Sequence, residues 1–218
     1  IENLKKINTS SFDKNFLNNY YNMKKQSSGD WNAKNWCKNK DVLIIGQGPS
    51  TKKYNKKICN FVKSKKIKTL CLNINKLIPE NLVTYYVASN HERIILDFPK
   101  YKKLKKPLII AKNLYLDLIS RHKPKKIMNY GLVKHPNKFE ANKNYCTLYT
   151  ELAVAYALAI CKVGKAKSIF FVGFDGYVND KSKNTEMTQL INFFTKKFKK
   201  LKLFSLTPTV YPAKKITF

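Results

Sequence analysis

The sequence is short of acid. Only 13 Asp and Glu face 43 Lys and Arg, which leaves a formal charge of +30 on 218 residues. So few acids cannot neutralise the bases, and the domain therefore carries a strongly positive field. Such a field attracts anionic phospholipid or lipopolysaccharide surfaces, acidic or phosphorylated sugars, and nucleic acid. Nucleic acid ranks last, because the bases are spread along the chain rather than gathered into an aromatic-interleaved stripe, and no nucleic-acid-binding motif is present. Paired cysteines are also missing. Cys37, Cys59, Cys71, Cys146 and Cys161 are scattered without a C-x-x-C pair, a pattern of reduced thiols in a cytosolic protein rather than of a disulfide framework. His91, His122 and His135 lack metal-ligand spacing, so neither a metal nor any other required cofactor is expected. No apolar run reaches membrane-spanning length and no signal peptide is visible, so any membrane association is expected to be peripheral, on the inner membrane.

What is present is enough for one well-buried α/β domain, with 44% apolar residues and little chain left for a second core. The organising stretch is Val42-Leu-Ile-Ile-Gly-Gln-Gly-Pro-Ser50. Four consecutive branched residues predict a strand buried on both faces, since a half-exposed strand alternates apolar with polar. Gly46 and Gly48 admit close approach to the main chain, Pro49 suits the first position of a helix, and Ser50 can cap it. Free N–H groups at a helix start seat a phosphate. The same turn serves equally well as a plain strand-to-helix corner.

Before this stretch lies a polar arm, residues 1–40, with a helix predicted over Asp13 to Lys25. Trp31 and Trp36 read as packing anchors for the arm, with a sugar or base platform as the alternative. After it, a helix from Thr51 to Ser64 leads to the strand Thr69–Asn73. A third strand, Leu82–Ala88, runs into Ser89-Asn-His-Glu-Arg93. Pro107–Ala111 and Lys125–Asn129 are predicted strands around a helix near Leu114 to Arg121. In open α/β sheets the ligand crevice lies at the carboxyl ends of the strands, which gives weight to Asn73, Asn75, Ser89 and Asn90. His91 reads as a loop histidine or, alternatively, a catalytic one.

Residues 130–145 show no period and predict a lid or binding loop, whose Lys134, His135 and Lys138 either meet an anionic substrate or are simply solvated. Thr147 to Lys162 predicts a central helix. The strand Ser168–Val172 then runs into Gly173-Phe-Asp-Gly-Tyr177, where Asp175, beside Gly176, either accepts a ligand hydroxyl or caps the next segment. A polar loop, Asn179 to Thr185, precedes an amphipathic helix, Glu186 to Lys200, whose cationic end suits its dipole and anionic lipid alike. Leu201 to Leu206 predicts the last strand.

Two resemblances follow from these motifs. Gly46-Gln47-Gly48-Pro49-Ser50, Asn73, Ser89-Asn90, Ala153–Leu158, Gly173-Phe174-Asp175 and Ser182–Thr185 resemble the bacterial lipooligosaccharide sialyltransferases. That resemblance implies a Rossmann-like fold binding a nucleotide-activated sialic acid across these loops. The family's general base, a histidine just before the Ser-Lys-Asn-Thr-like run, is replaced here by Lys181. More of the chain is similar to the C-terminal domain of 4-hydroxy-2-oxovalerate aldolase-like polypeptides of surface-polysaccharide gene clusters. The matching residues are the polar arm, Asn73-Ile-Asn75, Ile78-Pro-Glu80, Val87–Asn90 with Arg93, Gly173–Tyr177 and Leu206–Tyr211. With Ile1 as first residue, that resemblance implies a segment of a longer polypeptide in which a fused barrel holds the aldolase chemistry.

Together these features lead us to expect a single doubly wound α/β domain over residues 41–218 with a mainly parallel sheet. Its expected activity is glycosyl transfer from a nucleotide-activated acidic sugar, with CMP as the candidate nucleotide, towards a lipooligosaccharide or capsule acceptor. The turn Gly46 to Ser50 would hold phosphate or nucleotide, and Asn73, Asn75, Ser89, Asn90 and Asp175 the hydroxyls. Lys181 would stand as a permanent cation beside the leaving phosphate. The rival expectation is a non-catalytic nucleotide-sugar-binding module.

Overall fold

The computed structural model describes residues 28–218, and the helix expected over Asp13 to Lys25 lies outside them. The fold is a Rossmann-like, doubly wound α/β domain built on an eight-stranded parallel sheet. The strands are β1 (Val42–Ile45), β2 (Lys68–Leu72), β3 (Tyr85–Val87), β4 (Leu108–Ile110), β5 (Ile127–Asn129), β9 (Ser168–Val172), β10 (Lys202–Ser205) and β11 (Lys214–Lys215). Their spatial order is β11-β10-β9-β1-β2-β3-β4-β5. Successive strands step away from β1 in one direction up to β5, and the chain returns to the other side of β1 with β9. The reversal falls between β1 and β9, which pair in register from Val42 with Ile169 to Ile45 with Val172.

The four residues of β1 are fully buried, as a central strand covered on both faces requires. Around the sheet lie α1 (Pro49–Lys53), α2 (Asn55–Lys65), α3 (His91–Tyr101), α4 (Leu116–His122), α5 (Ala153–Val163) and α6 (Lys181–Lys197). Helix α5 is buried without interruption from Ala153 to Cys161. Burial of a Leu or Ile there contributes about 1.5–3 kcal/mol each, so this helix is a main source of cohesion.

Several predicted elements change at their ends for identifiable reasons. The helix after β1 breaks at Tyr54 into α1 and α2. The strand expected from Leu82 starts only at Tyr85, because Glu80–Leu82 form a 3-10 turn. The aperiodic residues 130–145 are no lid. They form β6 (Gly131–Lys134), β7 (Phe139–Ala141) and the start of β8 (Tyr145–Leu148), a small mixed sheet ordered β6-β8-β7. Strands of three and four residues are too short to display a period.

Thr147 and Leu148 therefore belong to a strand, and the helix expected from Thr147 begins at Ala153. Thr150 separates the two, its hydroxyl accepting the Leu152 N–H at 3.1 Å. The last helix instead begins early, at Lys181, because Asp180 caps it by accepting the Lys183 N–H at 2.9 Å.

The described part of the arm is woven into the domain. Trp31 N–H donates to Asn129 O at 3.0 Å, and Ala33 N–H to Lys143 O at 2.6 Å. The Trp31 ring lies 5.9 Å from Tyr85 and 6.0 Å from Tyr130. Trp36 lies 5.5 Å from Tyr85 and donates Nε1–H to Ile160 O at 3.1 Å. Both rings are thus committed to packing, and the polar edge of Trp36 is paired as well. Among the described residues no helix is long and apolar enough to cross a membrane.

Candidate functional site

The site grows from the two loops at the reversal point. Gly46 N–H donates to Val172 O at 2.8 Å and Gly48 N–H to Gly173 O at 2.9 Å. A Cβ on Gly46 would stand 2.5 Å from Gly173 O, and one on Gly48 would stand 2.1 Å from Asp175 Oδ2. These glycines are needed because the β1 loop and the β9 loop press together.

The helix start behind the turn is already filled. Both Asp175 carboxylate oxygens lie 3.2 Å from Ser50 N, and Oδ2 accepts the Ser50 hydroxyl at 2.7 Å. The seat expected for a ligand phosphate is thus occupied by the chain's own carboxylate, which satisfies the free N–H and its dipole. Asp175 came from a position 125 residues away, a pairing that no local pattern contains. Thr207 locks the arrangement: its hydroxyl lies 3.1 Å from Ser50 Oγ and accepts Gly173 N–H at 3.1 Å.

In front of this lock opens a cavity of about 570 Å³. Gly46, Gln47 and Gly48 line it from the first loop, Asn73 from the end of β2, and Asp175 and Gly176 from the β9 loop. Asn73 holds a left-handed backbone, φ 53°, and its N–H donates to Val87 O at 2.9 Å. Its Oδ1 is buried without a hydrogen-bond partner. A buried acceptor left unpaired costs about 1–3 kcal/mol, and this one belongs to a cavity wall. Gln47 donates Nε2–H to Ile74 O at 2.6 Å.

The other expected residues divide. Asn90 lines the cavity, with Oδ1 accepting Arg93 N–H at 2.9 Å as the N-cap of α3. Asn75 faces inward, donating to Gly46 O at 2.9 Å and accepting Leu77 N–H at 2.9 Å, so it braces the glycine turn from behind. Ser89 donates to Glu151 O at 2.9 Å and stands off the lining. Pro49 opens α1, and with Ser50 it too stands off the lining. Lys181 is exposed at the first position of α6 and does not line the cavity, whereas Lys183 does. Two residues of α-helix rotate by about 200°, which puts the two lysines on different faces.

Three charged lining residues escaped notice as site residues: Glu92, Arg93 and Lys183. Arg93 is held by its Nε 2.5 Å from Asp97 Oδ2, and Asp97 also meets Lys100 at 2.7 Å. Lys183 Nζ lies 3.4 Å from Asp180 Oδ2 and 5.8 Å from the Tyr177 ring centre. The Lys183 N–H, above all, holds the Asp180 carboxyl below its ordinary range. Asn184 brackets the rim, accepting Tyr177 N–H at 2.9 Å and the Tyr211 hydroxyl at 2.8 Å. Burial pushes the Tyr211 phenol up to about 12, so it stays a neutral donor. The spacing signal that could have found Lys183 is the Asp180 cap three residues before it.

His91, outside the lining, lies 3.4 Å from the Tyr115 hydroxyl, and burial lowers its pKa. Lys134 pairs with Glu151 at 3.0 Å. Like His135 and Lys138, it is absent from the cavity wall. Among the described residues no three His, Cys, Asp or Glu side chains come together as a metal centre. No family model matches the chain, and no curated protein matches it.

Proposed function

We propose that the cavity binds a nucleotide-activated acidic sugar and that the domain transfers its glycosyl group in surface-glycan assembly. One observation carries the reading: the unpartnered Asn73 Oδ1 belongs to a cavity that also presents two cations, Arg93 and Lys183, and two carboxylates, Glu92 and Asp175. A volume of about 570 Å³ falls within the roughly 300–1,000 Å³ of small-molecule sites. Arg93 and Lys183 offset the donor phosphate, and Asn73 accepts a hydroxyl or amino hydrogen. Asp175, held by Ser50, keeps lone pairs for a sugar hydroxyl.

In the transfer, the acceptor oxygen bonds to the anomeric carbon as the bond from that carbon to the phosphate oxygen breaks, and the phosphate leaves with the electron pair. Lys183 stabilises the charge developing there without any change of its own protonation. This revises the role expected for Lys181. The acceptor proton goes to Glu92, the lining carboxylate that makes no hydrogen bond or ion pair with another described residue.

A second reading, binding without turnover, draws support from Asp175, whose carboxylate is already engaged by Ser50. In that reading the domain delivers or senses the nucleotide sugar, for example beside a fused aldolase barrel. Calorimetric titration with CMP, CMP-sialic acid and UDP-sugars, followed by a turnover assay, separates the two. Binding with transfer supports the enzyme, binding alone supports the module, and no binding removes both.

A further inference from the structure

At the opposite edge of the sheet, where β2, β3, β4 and β5 begin, lies a shallow trough of about 650 Å³. Lys66, Lys68, Lys105, Lys106 and Lys126 line it, and no acid does. Four of these lysines are exposed and Lys106 is half-buried. None of the five takes part in an ion pair with another described residue. Glu80 beside them is turned to the backbone, its Oε1 accepting Lys105 N–H at 2.7 Å and Lys106 N–H at 3.3 Å. Five unpaired ammonium groups around one concavity repel one another, and a ligand with clustered negative charge relieves that repulsion.

The floor decides which polyanion fits. Tyr85 is the lone aromatic residue of the lining, and its ring is taken by Trp31 and Trp36 at 5.9 and 5.5 Å, so no platform remains on which bases could stack. None of the large exposed apolar side chains belongs to the trough, so it lacks the anchors by which a surface enters a bilayer. Asn81 and Thr84 add neutral polar groups beside the lysines, which suits a ligand with hydroxyls between its phosphates. We infer that the trough is a second binding site, for a saccharide carrying two or more phosphates, separate from the cavity at the carboxyl ends of the strands.

The test uses the full chain and glucose 1,6-bisphosphate as probe, followed by calorimetry at several salt concentrations. The triple variant Lys66→Ser, Lys68→Ser, Lys126→Ser is compared with a control of equal charge, Lys196→Ser, Lys199→Ser, Lys200→Ser, on exposed positions elsewhere. The expected result is at least tenfold weaker binding and a shallower salt dependence for the trough variant, with the control within twofold of the unaltered protein. Equal losses in both variants would mean a diffuse field and overturn the inference. So would binding that Lys183→Ala abolishes and the trough variant spares. Single-stranded DNA and phosphatidylglycerol vesicles are run in parallel, and tighter binding of either at the trough than of the bisphosphate also overturns it. If the triple variant fails to fold, protection of Lys66 and Lys68 from amine acylation by the bisphosphate replaces it: protection supports the site, and its absence refutes it.

Discussion

At the carboxyl ends of the strands the chain builds a cavity lined by charges of both signs, Glu92 and Asp175 with Arg93 and Lys183. At the amino ends of the same strands it leaves an open trough with five lysines and no acid. Both ends draw on the same lysine-rich composition, so composition alone does not account for the difference. At the cavity Asp175 is held by a tertiary contact with Ser50, and Asp97 pairs with Arg93 one turn along the same helix. At the trough Glu80 is spent on backbone N–H groups, and no acid belongs to the lining. Where thirteen acids serve 43 bases, the placement of a single carboxylate decides whether a surface is mixed or purely cationic.

The largest perturbation acts on the body between the two ends. Burial pushes the thiols of Cys37 and Cys71 up to about 12, so they stay neutral in the fold while the unfolded chain releases both protons above about pH 9. Unfolding then releases protons. The stabilisation is complete below about pH 9 and is lost as pH rises towards 12, at up to about 1.4 kcal/mol per thiol and pH unit. Urea midpoints measured across this range should fall steeply, and Cys71→Ala should flatten the slope. An unchanged slope would mean that the thiol ionises within the fold.

Next comes a change confined to the carboxyl end. Gly46→Ala forces a methyl against Gly173 O, which would stand at 2.5 Å, and should cost about 2–3 kcal/mol in denaturant unfolding while leaving phosphate binding at the trough intact. Its counterpart at the amino end is Thr69→Val. Thr69 Oγ1 donates to Leu82 O at 2.7 Å and accepts Thr84 N–H at 2.7 Å, so the substitution strands two backbone groups and should cost about 1–2 kcal/mol. Nucleotide binding at the cavity should not move, and a parallel loss there would show that the two ends are coupled.

The smallest effect is the sharpest test of the cavity. Lys183→Ala should weaken nucleotide-sugar binding about tenfold, whereas Lys181→Ala, two residues away and off the cavity wall, should stay within twofold. Reversed values would restore the role expected for Lys181 from the sequence.

Much of the fold was legible because a buried parallel strand writes itself as an unbroken apolar run. Val42–Ile45 and Ser168–Val172 are strands where expected, and they are neighbours in the sheet. The small sheet of β6, β7 and β8 was not legible, since its strands of three and four residues carry no period and are stabilised by distant partners. Phe139 of β7, for instance, lies 5.7 Å from Phe194 and 5.8 Å from Phe198. The site divides in the same way. Asn73, Asn90 and Asp175 are found on the cavity because each stands in the loop just beyond a strand end, after Leu72, Val87 and Val172. Asn75 and Ser89 follow strand ends as well, yet they turn to backbone carbonyls, and that orientation depends on which loop lies across from them.

By itself, then, the sequence determined a parallel sheet with a glycine turn after its central strand, because apolar runs and φ-restricted residues act locally. What that turn does was decided by the tertiary structure. Its glycines make room for the β9 loop, and its helix start receives the carboxylate of Asp175 rather than an open seat for phosphate. The two residues that meet there are remote in the chain, and hydrogen bonds act over a few ångströms of space whatever the separation in sequence.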